Sequence, residues 1–259
     1  TMKPAAVPRS FYLAGGLIVL FLLLPLVGTL SGTDPDSLRS TLVDAEVLAS
    51  IGLTFSAAAL ATGIGLAAGV PLAYLMARRS FPAKAWIAVL VDLPVVIPHT
   101  AAGIALLLVF GRQGLLGRWL APLGIFFTDN VAGIVAAMLF VSLSFLIDAS
   151  REAFAQIDSQ TEESARVDGA SPWQVFWHVA LPQAWRGILS GALLMWARGI
   201  SEFGAVVILA YHPKIVPVLV FERFSGFGLA AAQPVALILI VVVLVVFGAL
   251  RWLARGEEG

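Results

Sequence analysis

The chain contains no cysteine, which excludes disulfides, iron–sulfur clusters and thiolate metal sites and leaves the redox compartment open. Charge is scarce as well. Charged residues make up 12% of the 259 positions, about half the share of an ordinary soluble domain, and the formal net charge is zero. The three histidines are spread along the chain, and His178 and His212 are too isolated to indicate a metal site. No Gly-x-x-x-x-Gly-Lys-Ser/Thr phosphate loop occurs, so any ATP that drives this protein must be bound by another chain. His-Glu-x-x-His and Gly-x-Ser-x-Gly are missing too, which removes the common hydrolase signatures. There is no repeat and no low-complexity tract.

What the chain has instead is apolar length. Hydrophobic residues are 59% of the sequence and the mean hydropathy is +0.94, the composition of a protein that lives in lipid. A span needs roughly 20 apolar residues to cross about 30 Å of hydrocarbon. Six such runs are present, at about 11–31, 47–77, 84–110, 130–149, 184–211 and 232–253, and the expected fold is therefore an all-α protein of six transmembrane helices. The second and fifth runs are long enough to tilt or to project from the bilayer. The first is too long for the core of a cleavable signal and is taken as a retained span, with Thr1, ahead of Met2, set aside.

Lys and Arg set the orientation. With the N-terminus inside, the cytoplasmic segments hold Lys3, Arg9, Arg78, Arg79, Lys84, Arg151, Arg166, Arg186, Arg251 and Arg255. The outer segments hold Arg39, Arg112, Arg118, Lys214 and Arg223, with Arg198 inside a span. Ten against five puts both termini in the cytoplasm, and with them the polar insert at 150–183. Of the outer loops, residues 32–46 carry Asp34, Asp36, Asp44 and Glu46 and read as a short surface helix. Residues 111–129 are glycine-rich and apolar, the composition of a broken interfacial helix. Gly65-x-x-x-Gly69 and Gly187-x-x-x-Gly191 let backbones approach closely, for which packing within one subunit is the simpler reading than dimerisation.

The cytoplasmic insert is dense in helix-end signals. Residues 158–168 read as one helix, started by Asp158 or Ser159, with Ser159-x-x-Glu162 fitting a capping box. Glu162 and Glu163 fall near the first turn, where the helix dipole favours negative charge. Gly169 stands where a left-handed residue would end that helix. A second helix follows, with Ser171 as N-cap, Pro172 at its first position and Gln174 completing another capping box. Leu181-Pro182 is expected to stop it before the fifth span. Two capped helices around a glycine elbow make a rigid bracket. Trp173, Phe176 and Trp177 on the second helix suit either a docking knob or a headgroup-level amphipathic face, and both readings stand on the residues alone.

Inside the membrane, Arg198 and Glu202 are four apart on one face of the fifth span. Ionisable groups at that depth are costly and face a partner or a wet cavity. The simpler reading is a mutual ion pair; the functional one is an arginine lining an anion route, oriented by Glu202, with Ser201 beside it. Asp92-Leu93-Pro94-Val95-Val96-Ile97-Pro98-His99-Thr100 breaks the third span, because Pro94 and Pro98 remove amide donors and kink the helix. Such breaks can mark substrate paths by exposing half-helix N-termini to anions. Asp92 would repel an anion and is assigned to structure, with Arg198 as its expected partner. His99 suits an interhelical hydrogen bond as well as a pathway ligand.

Glu163-Ser164-Ala165, then Gly169, Phe176 and Leu181-Pro182, resembles the EAA loop of ABC importer permeases, with Ser164 standing where the motif has a second small residue. Asp92 through Gly103 and Ala197 through Val206 resemble the molybdate/tungstate permease family, as do Tyr211 through Ile215 and Phe221 through Arg223; the likeness runs from about 47 to 250. Sulfate/thiosulfate permeases share a related Glu-Phe-Gly segment.

The resemblance implies a type I importer architecture, with 1–259 as one permease domain of core 47–250 and a cytoplasmic coupling segment at 158–182. It also implies a non-catalytic subunit in a prokaryotic plasma membrane, working as a homodimer with two ATP-binding cassette subunits. Those partners bind ATP and Mg; this chain binds no cofactor, metal or nucleic acid. An extracytoplasmic binding protein would deliver a tetrahedral oxyanion. Glu163, Ser164, Ala165, Gly169, Ser171, Trp173, Phe176, Leu181 and Pro182 are the coupling residues so implied, and Asp92, Pro94, Pro98, His99, Thr100, Arg198, Ser201 and Glu202 the candidates for the pathway or its polar network. The rival from another class is a stand-alone channel or ion-coupled transporter using Arg198, Glu202 and Asp92 as its relay, which leaves the capped bracket unexplained.

Overall fold

The computed structural model describes residues 8–255, except the side chains of Arg9 and of residues 250–255. Lys3, and the side chains of Arg9, Arg251 and Arg255 counted above, lie outside that description. Every regular element among the described residues is helical, and by compactness the chain divides into residues 49–219 and, separately, residues up to 48 with those from 220 onward.

The 49–219 unit is organised by three helices. α3 (Ala45–Arg78) is 34 residues long, about 51 Å at 1.5 Å per residue, so it outruns about 30 Å of hydrocarbon by several turns. α7 (Val131–Gln156) starts on Asn130, whose side chain accepts the Ala132 amide at 3.1 Å. α10 (Leu181–Ile200) lies along α7. Met76 of α3, Leu146, Ile147 and Phe154 of α7, and Ile188 and Met195 of α10 fill their common seam. Glycine sets the spacing. A methyl placed on Gly191 would stand 2.8 Å from Ala149 Cβ, and one on Gly65 2.7 Å from the Met195 sulfur. Both Gly-x-x-x-Gly pairs therefore serve packing within one chain.

The third apolar run is two helices. α4 (Lys84–Val96) ends at Ile97, and α5 (His99–Phe110) begins after Pro98, with 117° between the two axes. Ile97 is extended (φ −77°, ψ 146°), as a residue before proline must be. Pro94 by contrast stays inside α4 and is buried. The break expected in the 84–110 run is present, placed at Ile97–Pro98 rather than at Pro94. Each half is about 20 Å long or less and cannot cross alone. After α5 the glycine-rich loop holds α6 (Gly117–Leu120) and a 3-10 turn ended by Gly124 at φ 76°, a broken helix as the composition implied.

The fifth run also departs from expectation. The bracket comprises α8 (Ser159–Val167) and the short α9 (Pro172–Val175). α9 does not stop at Leu181-Pro182: it runs through a π turn over Phe176–Ala180 directly into α10. The Leu181 amide bonds to the Phe176 carbonyl, five residues back. Pro182 has no amide hydrogen and its ring crowds the carbonyl four residues earlier, so one wide turn accommodates it without ending the helix. At its far end α10 breaks at Ser201–Phe203, and α11 (Gly204–Leu209) is a separate short helix. By length and apolarity, four described helices can cross a membrane: α1, α3, α7 and α13. The bent α4–α5 pair counts as a fifth if its two halves form one broken span. α10, expected from the sequence as part of a further span, falls short of that apolarity because it carries Gln183, Arg186 and Arg198.

In the other unit, α1 (Arg9–Gly32) and α13 (Leu229–Arg255) are joined by a bond from Gln233 Nε2 to the Thr29 carbonyl at 3.1 Å. The apolar side chains of α1 are exposed along nearly its whole length, as a lipid-facing helix requires. The expected surface helix is α2 (Pro35–Leu42), capped by Asp34 on the Ser37 amide at 2.8 Å. Arg223, on α12 (Val216–Phe227), bonds Asp44 at 2.6 Å and lies 3.6 Å from Glu46.

Candidate functional site

The bracket's caps are those its sequence requires, with one correction. Asp158, not Ser159, is the N-cap of α8 and accepts the Gln160 amide at 3.0 Å. The Ser159–Glu162 capping box does not form, because Glu162 is turned inward. At the other end Gly169 adopts φ 92°. Its amide bonds to the Arg166 carbonyl at 3.0 Å, and the Ala170 amide to the Ala165 carbonyl at 2.9 Å, the paired closure of a left-handed helix end. Ser171 and Gln174 make a complete capping box, with the Gln174 amide to Ser171 Oγ at 3.3 Å and the Ser171 amide to Gln174 Oε1 at 2.8 Å.

What the bracket offers to solvent is narrower than the motif implied. Glu163, Ser164, Gly169, Ser171 and Pro182 are exposed, and Ala165 and Leu181 are half-buried. Trp173 (66% exposed) and Trp177 (45%) project, but Phe176 is 6% exposed and belongs to the interior. Its ring meets Tyr74 and Phe154 at centroid distances of 5.0 and 6.2 Å. Phe176 therefore anchors the bracket rather than presenting it.

The residue that sequence reasoning missed is Glu162. Its side chain is 3% exposed, and its carboxylate accepts from Arg78 Nε at 2.7 Å, Tyr74 Oη at 2.9 Å and Arg166 Nη2 at 3.3 Å. Arg78 Nη2 also donates to the Ile157 carbonyl at 3.0 Å. A buried carboxylate needs such partners. The signal lay in two spacings of four, Glu162 to Arg166 and Tyr74 to Arg78, each of which puts its pair on one helix face.

Within the membrane body a second cluster forms at the two helix breaks. Arg198 Nη2 lies 2.9 Å from Glu202 Oε2, and Glu202 is fully buried. His99 Nδ1 is 3.1 Å from Glu202 Oε2 and 2.7 Å from Arg198 Nη2. The other oxygen of Glu202 accepts the Ala205 amide at 2.8 Å and so holds the start of α11, while Arg198 Nη1 donates to Ser201 Oγ at 3.2 Å. The expected ion pair thus exists, with His99 as its third member. Gly204 is needed here, since a Cβ on it would stand 2.8 Å from that of His99. An open cavity of about 510 Å³ adjoins the cluster, lined by Pro98, His99, Thr100, Ser201, Phe203 and Gly204 among others.

Asp92 is not part of it. Its side chain interacts with Asp148 on α7, which is itself 3.1 Å from Arg151. The assignment of Asp92 to Arg198 is corrected: Arg198 is already neutralised by Glu202, and α4 packs on α7. Pro94 sits in the wall of α4 rather than at the break. Among the described residues no cluster of three metal-ligating side chains occurs.

Comparison with known proteins adds four findings. Residues 69–258 match the family described as binding-protein-dependent transport system inner membrane component. The molybdate/tungstate transport system permease protein WtpB of Pyrococcus furiosus is 42% identical over 247 residues, covering 94% of each chain. A probable sulfate transport system permease protein of Zygnema circumcarinatum is 32% identical, covering 88% of this chain and 81% of its own. In fold, a bacterial ABC transporter involved in the import of the acidic polysaccharide alginate superposes with a TM-score of 0.76 at 18% identity, over 95% of this chain and 94% of that one.

Proposed function

The chain belongs to the family of binding-protein-dependent transport system inner membrane components, and from that premise we propose that it carries molybdate or tungstate into the cytoplasm as the permease of an ATP-driven importer. A permease of this family is a transport subunit, not an enzyme. The observation that carries the coupled mechanism is the bracket: two capped helices joined by a left-handed glycine, presenting Glu163, Val167, Trp173 and Trp177 to solvent. Such a segment suits a soluble partner that pushes on it, and with no phosphate loop in the chain that partner is an ATPase subunit. One bracket per chain calls for two permeases and two ATPases. Closure of the ATPases on ATP brings the brackets together and turns the helices outward. An extracytoplasmic binding protein then releases its anion into the opened route, and hydrolysis resets the assembly. The coupling segment lies in the cytoplasm with both termini.

The Arg198–Glu202–His99 cluster and the adjoining cavity are the proposed passage. Glu202 cancels the charge of Arg198, so an anion meets hydroxyls of Thr100 and Ser201 and a tempered cation rather than a tight cage. A route that must release its passenger is served by weak sites. Selectivity then rests with the binding protein, and the isolated permease in detergent should show no tight molybdate or tungstate binding by calorimetry. Molybdate or tungstate is favoured over sulfate by the higher identity and coverage of the first relative. The test is ATPase stimulation in the reconstituted complex by binding protein loaded with molybdate, tungstate or sulfate. Stimulation by the first two supports the assignment; stimulation by sulfate alone overturns it.

A further inference from the structure

The bracket is joined through the chain to only two helices of the body, α7 before it and α10 after it. Arg78, at the end of α3, is 84 residues upstream of Glu162, yet the last turn of α3 reaches the bracket through that one buried carboxylate. Arg78 and Tyr74, one turn apart on α3, both hold Glu162 of α8, and Arg78 holds the Ile157 carbonyl in the α7–α8 link as well. Around this clamp the rings of Tyr74, Phe154 and Phe176 close at 5.0 to 6.2 Å. The link is largely buried: the side chains of Glu162 and Arg78 are 3% and 14% exposed. Glu163, the neighbouring acid, is exposed, so the two glutamates divide the work, one facing out and one in.

The far part of α3 packs on α10 beside the intramembrane cluster. Gly199 lies against Ala58, a methyl placed on it standing 3.3 Å from the Ala58 side chain. Trp196 Nε1 donates to the Phe55 carbonyl at 3.4 Å and its ring meets Phe55 edge-on at 5.4 Å. Both contacts flank Arg198 on α10. The stretch of α3 from Ala58 to Tyr74 is about 24 Å of helix with Pro71 inside it, and this one helix joins the cytoplasmic clamp to the packing around Arg198.

We propose that Glu162 is a positioning residue for transport: by clamping α8 to Tyr74 and Arg78 it makes α3 the second lever through which bracket movement reaches the Arg198–Glu202–His99 cluster. This inference rests on the reading of the chain as an ATPase-coupled permease. Without the clamp, movement of the bracket would still pass to α10 through the π turn, but α3 would follow only through its packing on α7 and α10, and hydrolysis would proceed with a poorly matched movement of the pathway. The loss therefore shows in the ratio of ATP consumed to anion delivered.

The experiment uses the complete complex, with ATPase subunit and binding protein, in proteoliposomes. ATP hydrolysed per molybdate or tungstate delivered is measured for the wild type, Glu162→Gln and Tyr74→Phe. Tyr74→Phe removes one hydroxyl and leaves the ring packed between Phe154 and Phe176, so it keeps the test informative if Glu162→Gln does not assemble. A rise in the ratio of at least five-fold for Glu162→Gln, and about two-fold for Tyr74→Phe, is expected. Because the chain has no cysteine, single cysteines at exposed Gln160 and Leu60 can carry spin labels in the same variants. Vanadate trapping should shift both labels in the wild type but only the one at Gln160 in Tyr74→Phe or Glu162→Gln. Wild-type ratios with both labels moving in Tyr74→Phe and in any assembled Glu162→Gln complex would overturn the clamp and leave the permease reading intact. Wild type that imports without ATP would overturn the permease reading itself.

Discussion

Replacing Gly169 separates backbone strain from packing, because an added Cβ there meets nothing within 4 Å. The whole penalty therefore comes from φ, which stands at 92°. An L-residue in the left-handed region costs about 1–2 kcal/mol, which corresponds to a 5- to 30-fold shift in an equilibrium. The equilibrium at stake is closure of the elbow, held by the Gly169 and Ala170 amides on the Arg166 and Ala165 carbonyls. Gly169→Asn should be mildest, since asparagine tolerates this region; Gly169→Ala should be intermediate; Gly169→Val, being β-branched, should be worst. The assay is hydrogen exchange at the Ala170 amide, read alongside ATP-driven transport in the reconstituted complex. Protection should fall 5- to 30-fold for alanine and further for valine, with transport declining in the same order while the unfolding temperature of the membrane body hardly moves. Valine with wild-type protection and transport would refute the reasoning, because nothing in the surroundings of Gly169 could offset the strain.

Three other outcomes are expected. Glu202→Ala leaves the half-buried Arg198 without its carboxylate and should cost about 1–3 kcal/mol, while the double variant Arg198→Ala/Glu202→Ala loses much less than the sum of the singles in detergent unfolding; strict additivity contradicts the pair. Phe176→Ala should destabilise the body by about 3–5 kcal/mol, whereas Trp173→Ala leaves stability within about 0.5 kcal/mol and weakens ATPase-subunit binding by about ten-fold or more, as measured by titration. Arg223, followed by the Glu46 amide, holds the Asp44 carboxyl below its ordinary value of 3.8. Its stabilisation is therefore fully present above that value and lost as the pH falls through the lower, folded one. Asp44→Asn should lower the unfolding midpoint at neutral pH, and the difference from wild type should vanish in strong acid.

The elements most legible in the sequence were those governed by local rules. Asp158, Ser171 and Gln174 cap, Gly169 turns left-handed, and Pro98 starts a new helix, because each acts on backbone groups within a turn of itself. The Arg198–Glu202 pair was legible for the same reason, at a spacing of four. What the sequence hid depends on distant segments. Glu162 looked like a dipole-stabilising acid of a first turn until α3 brought Arg78 to it across 84 positions. His99 joined Arg198 across 99 positions, and Asp92 lies near Asp148, a like charge, rather than near Arg198. Pro182 misled in another way: proline forbids the ordinary i→i−4 bond, but one π turn satisfies that constraint without a stop, and local pattern does not distinguish the two solutions. Phe176 and Trp173 are chemically alike on paper; only the packing of Tyr74 and Phe154 decides which one is interior.

The most direct test is uptake into proteoliposomes that hold the permease with or without an ATPase subunit, with binding protein and labelled molybdate or tungstate at the opposite face. Uptake only when permease, ATPase, ATP and loaded binding protein are all present is the predicted result. Uptake by the permease alone, driven by an ion gradient with no ATPase, would contradict it.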